Sequence, residues 1–176
     1  MSQQGEDRQT RYLVLHDYGM GGLWWWVWAG SAEEIVGACA EVEVISDPDA
    51  VRRAETWGLQ EVRLDDPDPN PLSSLRAQRD AQRGQPGFGV LAGRDRVCLR
   101  WPEGEEGEVF LMELGPDGRR LRQVEIATDG GSVTTGAEDW PFNPPFDLRD
   151  PQYVSMEIGL GAFEEAWRRA RYGAEG

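Results

Sequence analysis

The sequence predicts an α+β fold: a mostly antiparallel sheet with a tryptophan-rich central hairpin, flanking helices and a C-terminal amphipathic helix. Three observations carry this reading. RYLVLHD (11–17) and LWWWVWA (23–29) are strand-like runs around the glycine-rich connection DYGMGG, which reads as a hairpin. From Arg96 to Thr135 the chain reads as an antiparallel meander, RVCLRW, EVFLMEL, RRLRQVEIA and SVTT, with EGEEG, GPDG and TDGG as turns. Phe163, Ala166, Trp167 and Ala170 recur at the spacing of a helix stripe.

The elements follow in order. Residues 1–10 are polar and read as a disordered lead without a signal peptide. After the hairpin, Ser31 and Glu34 have capping-box spacing, and Ala32, Ile35, Val36 and Cys39 mark one face of a helix. EVEVI (41–45) alternates as a strand. Asp47-Pro48, a cap followed by an N1 proline, starts a second helix with Val51, Ala54 and Trp57 expected inward. EVRL (61–64) closes an N-terminal ββαβ-type module over 11–64. Segment 65–95 reads as a proline-rich linker, LDDPDPNPLSS, and an arginine-striped helix, LSSLRAQRDAQR. The meander and final helix occupy 96–172, and a single continuous domain over 11–172 is the alternative. Within that part AEDWPFNPPFDLRDP reads as an ordered loop, and YVSMEI (153–158) as a last strand with Val154, Met156 and Ile158 inward.

Charge and composition exclude several functions. Of 176 residues, 32 are acidic and 18 basic, a net charge of −14. Each half carries −7, so the excess is global and not an acidic tail. Such a field repels nucleic-acid backbones and anionic membranes, and it favours basic partners or plain solubility. No lysine occurs, which fits codon usage in a GC-rich genome and removes phosphate-loop, Schiff-base and kinase chemistry. The run from Leu23 to Ala29 is far short of the ~20 residues that span a membrane. Cys39 and Cys98 sit in apolar contexts and read as buried thiols of a cytoplasmic protein.

The tryptophans raise the main functional question. In a strand Trp24, Trp26 and Trp28 share one face, and Leu23, Trp25, Val27 and Ala29 the other. Both faces are apolar, as in a central strand covered on two sides, with helix 31–40 on the Trp25 face. The loop 140–146 (WPFNPPF) is the expected lid over Trp24, Trp26 and Trp28. The competing reading makes His16, Asp17, Tyr18, Trp24, Trp26 and Trp28 a ligand or partner surface, because tryptophan and tyrosine dominate binding hot spots.

Other constellations are weaker. His16-Asp17 ends a strand beside a glycine loop, but adjacent strand residues point to opposite faces, so no catalytic residue is assigned. Asp66, Asp68 and Asn70 mimic a calcium loop that fails at Pro71 and Ala77. No spacing suits zinc, and neither a metal nor a cofactor is expected. Arg76, Arg79 and Arg83 form a basic stripe, read as a solvated face or, more sharply, as an anion contact.

RYLVLHDYGMGGLWWWVWAGSAEEI, with its continuation to AQRGQPGFG, resembles hypothetical proteins of GC-rich soil bacteria. DGRRLRQVEIATDGG, PPFDL and YVSMEIGLGAFEEAWRRA resemble a small bacterial domain of unknown function, a sheet followed by an F-x-x-x-W helix. These resemblances imply no reaction. By analogy with small acidic bacterial families they imply an immunity-like protein that binds a basic, toxin-like partner. The alternative is a small-molecule-binding protein or enzyme with its site near His16, Asp17 and the tryptophan face.

Overall fold

In the computed structural model, residues 8–101 and 104–173 are described, and the chain divides into two units, 1–84 and 85–176. Most of the lead 1–10, and Glu103 of the EGEEG turn, lie outside the described residues.

The first unit is built around the tryptophan hairpin. β1 (Thr10–Asp17) pairs antiparallel with β2 (Gly22–Ala29), and the strand already begins at Thr10, inside the segment expected to lead in disordered. β3 (Val42–Ile45) adds antiparallel to β1, and β4 (Glu61–Arg63) adds parallel to β2. The sheet order is β3-β1-β2-β4, so both hairpin strands are central, as the two-sided apolar pattern predicts.

Helices cover both faces. α1 (Ala32–Ala38) starts at Ser31, whose hydroxyl accepts from the Glu34 amide at 3.1 Å. Its Ile35, with Cys39 just past its end, packs with Val14, Trp25, Val27 and Ala29, together with Leu72 and Leu75. Trp25 is 7% exposed and Val27 fully buried. α2 (Pro48–Ala54) is capped by Asp47, which accepts from the Ala50 amide at 2.7 Å. It brings Ala54 and Val51 onto Leu13 and Trp26 on the opposite face. Each buried indole removes on the order of 200 Å² from water, worth several kcal/mol.

α3 (Ser73–Arg83) corrects the expected boundary. The helix belongs to the first unit, which runs past residue 64: Leu72 and Leu75 are part of its core, and the Ala40 amide donates to the Leu75 carbonyl at 3.1 Å.

The second unit holds a five-stranded sheet, β8-β7-β6-β5-β9: β5 (Val97–Trp101), β6 (Val109–Leu114), β7 (Arg120–Ile126), β8 (Ser132–Gly136) and β9 (Glu157–Ile158). The first four form the expected meander. α4 (Leu160–Tyr172) lays Phe163, Ala166, Trp167 and Ala170 against Cys98, Leu111 and Val124. The other face carries Leu91, Val97, Leu99, Met112, Leu114 and Leu148, joined by Phe146, Tyr153, Val154 and Met156.

One strand assignment is corrected. YVSMEI is mostly not extended: Pro151–Met156 is a 3-10 helix, and only Glu157 and Ile158 pair with β5. Asp150 accepts from the Gln152 amide at 2.9 Å and Pro151 follows it, the start signal of a helical turn. That local signal outweighs the alternation of Val154, Met156 and Ile158.

Candidate functional site

The tryptophan face is covered within its own unit. Trp26 is 4% exposed beneath Ala54, and the Arg11 guanidinium lies 4.2 Å from its ring centroid. Trp24 packs edge-on against Trp57, with centroids 5.4 Å apart at 78°. Trp28 is half-buried and donates its indole N–H to Glu61 at 2.9 Å. Arg11 pairs with Glu55 and, at 3.0 Å, with Glu61. The Trp28 hydrogen bond and the Arg11 guanidinium together hold the Glu61 carboxyl below its usual pKa.

The expected lid is thus replaced. α2 and the residues after it cover Trp24 and Trp26, because Asp47-Pro48 directs that helix across the sheet. Loop 140–146 serves the core of the second unit, where Phe146 packs on Trp101 and Tyr153. Trp57, expected inward, stands just past the end of α2 and is 47% exposed, touching Trp24 by its edge.

His16 and Asp17 are each oriented by a backbone group. His16 Nδ1 lies 3.0 Å from the Glu41 carbonyl oxygen. A carbonyl only accepts, so this nitrogen carries a proton and Nε2 is the atom left to accept in the neutral ring. Glu41 has φ 55°, a left-handed conformation unusual for a residue with a side chain, and Gln78 also donates to its carboxylate at 3.1 Å. His16 and Gln78 therefore hold the corner where α1 turns into β3. Asp17 accepts from the Gly19 amide at 2.7 Å and shapes the hairpin turn, where Gly19 has φ 85°.

Of the arginine stripe, Arg79 turns inward, Arg76 is half-buried and Arg83 is exposed. Arg79 is 1% exposed, and its guanidinium donates to the carbonyls of Val36 and Cys39 at 3.0 Å and to Gln82 at 2.8 Å. Arg76 donates to the Leu64 carbonyl at 2.7 Å. Arg83 reaches the Gly37 carbonyl and Asp80. The readings of a solvated face and of an anion contact are both corrected for Arg79: the C-terminal carbonyls of α1 take its Nη2 donors and Gln82 takes Nη1. Those carbonyls form the negative end of the helix, where a cation is favoured.

At the hairpin tip three large apolar side chains are exposed, Met20 at 93%, Tyr18 at 56% and Leu23 at 48%. Of these only Tyr18 stood among the expected surface residues. Met20 and Leu23 carry one local signal, their place in and beside a glycine-rich turn, where a side chain projects beyond any covering helix. Cys39 and Cys98 are buried free thiols, and burial pushes each up to about 11, which disfavours the thiolate. Among the described residues no group of three or more histidine, cysteine, aspartate or glutamate side chains could hold a metal ion. Nor, among them, is any helix long and apolar enough to cross a membrane.

No protein-family model matches the chain, and no curated protein or solved structure shows significant similarity to it.

Proposed function

We propose that the chain is a non-catalytic, immunity-like interaction module that binds a basic protein partner at the hairpin end of its first unit. One observation carries the reading. Residues 12–51, which hold α1, β3 and all of the hairpin except Thr10 and Arg11, contain no arginine or lysine, and three of their acidic residues, Asp17, Glu41 and Glu43, lie toward the turn end of the hairpin. The register sets Glu43 opposite Leu15 and Val42 opposite His16, so Glu43 and the preceding Glu41 lie toward the turn that projects Tyr18 and Met20. Exposed apolar anchors with an acidic surround suit a partner that offers arginine or lysine around an apolar centre. The two buried free thiols, one in each unit, suit a reducing cytoplasm.

The test is site-specific capture in the cells of origin, with a photo-crosslinking phenylalanine analogue replacing Tyr18. A protein of basic isoelectric point is expected to be trapped. The added substitution Met20→Arg, at a side chain free of packing, is expected to abolish the product. Trapping no protein, or an acidic one, overturns the reading.

A further inference from the structure

We propose that Arg120 and Trp140 form a binding site for a carboxylate that carries an adjoining apolar group. Arg120 opens β7, and its guanidinium lies 4.4 Å from the ring centroid of Trp140. Two neutral amides hold it: Nε donates to Asn143 Oδ1 at 3.4 Å and Nη1 to Gln123 Oε1 at 3.3 Å. Both distances exceed the ~2.9 Å usual for such bonds and the shorter values of charge-assisted pairs. Burial pushes the Arg120 pKa down. Asp139, the acid next to Trp140, is bound by the Gly136 amide at 2.7 Å.

Arg122, two residues further along β7, shows the completed arrangement. Its guanidinium lies 5.0 Å from the ring centroids of both Phe163 and Trp167, and it also binds the carboxylates of Glu113 and Glu164. Arg120 has the aromatic ring but, among the described residues, no carboxylate. A partly buried guanidinium on an indole face binds an incoming carboxylate with a planar fork, at little cost in lost freedom. The site is also held in place. Asn143 donates to the Arg120 carbonyl at 2.9 Å while its Oδ1 accepts from the Arg120 amide at 3.3 Å, so the loop is tied to the start of β7. Phe142, next to Asn143, is 63% exposed and supplies an apolar surface for the rest of the ligand. The chemistry suits an aryl or alkyl carboxylic acid, free or as the C-terminus of a peptide.

The experiment titrates the intact protein and follows the Arg120 Nε–H and Trp140 indole N–H signals by NMR. The probes are phenylacetate and acetyl-Gly-Gly-Phe with a free C-terminus, each compared with its uncharged amide. Saturable shifts from a carboxylate, at least tenfold stronger than from its amide, are expected, and the tighter of the two acids distinguishes a free acid from a peptide end. Arg120→Gln should remove the response, and Phe142→Ala should weaken it several-fold. If Arg120→Gln does not fold, the acid–amide comparison in the unaltered protein still decides. Equal response to acid and amide, or none to either acid, overturns the proposal.

Discussion

The Arg79 guanidinium donates to the Cys39 carbonyl at 3.0 Å, joining the middle of α3 to the C-terminal end of α1 from inside the first unit. The same side chain reaches the Val36 carbonyl. A buried cation on the orphan carbonyls of a helix end replaces the water that would otherwise satisfy them. Arg79→Ala should therefore lower the stability of the first unit by about 3 kcal/mol, since it leaves two carbonyls and Gln82 unsatisfied and opens a cavity. Urea unfolding followed by tryptophan emission measures this. A surface arginine would give a change within about 0.5 kcal/mol, and that result would remove α3 from the core.

In the second unit, Arg122 bridges Glu113 and Glu164. Its hydrogen bond and charge hold the Glu164 carboxyl below the usual glutamate value. A depressed carboxyl contributes stability that is present above its unfolded pKa of ~4.3 and lost as the pH falls through its native value. Glu164→Gln should thus be less stable than the unaltered protein at pH 7, by a small amount because Glu164 is exposed. The difference should shrink below about pH 4 and vanish at the acid limit. Paired urea titrations across this range check it; a difference that grows on acidification would contradict the ion pair.

Local chemistry was legible in the sequence, and tertiary capture of side chains was not. Ser31 and Asp47 cap α1 and α2 as their spacing predicts, because a cap is decided within four residues. The central position of the hairpin followed from Trp25 and Val27 being apolar on the face opposite Trp24 and Trp26. Arg79 was misplaced because its partners, Val36 and Cys39, are 43 and 40 residues away and are backbone atoms that any sequence would offer. The cover of Trp26 was sought in an aromatic loop, whereas the small Ala54 performs it by letting α2 approach closely. At the candidate surface, composition gave the acidity but not its distribution. Only the fold shows that Met20 and Leu23 project while Trp26 does not.

The turn between β6 and β7 makes a prediction in which geometry separates two glycines of nearly equal backbone. Gly118 has φ 84° and Gly130 has φ 88°, so alanine at either position pays for the left-handed conformation, about 1 kcal/mol or slightly more. Only Gly118 is closely approached. A Cβ there would lie 2.1 Å from the Phe146 carbonyl oxygen, whereas one at Gly130 meets nothing within 4 Å. The approach cannot easily relax, because the Phe146 amide donates to the Gly118 carbonyl at 2.9 Å and fixes the two backbones together. Phe146 in turn packs on Trp101 and Tyr153, so a shifted loop disturbs that aromatic cluster as well. Gly118→Ala should cost about 3 kcal/mol or more, and Gly130→Ala about 1 kcal/mol. Thermal and urea unfolding of the two variants side by side gives the comparison. Equal losses would mean that the loop is not seated on the Gly118 turn, and the tie between Asn143 and Arg120 would fall with it.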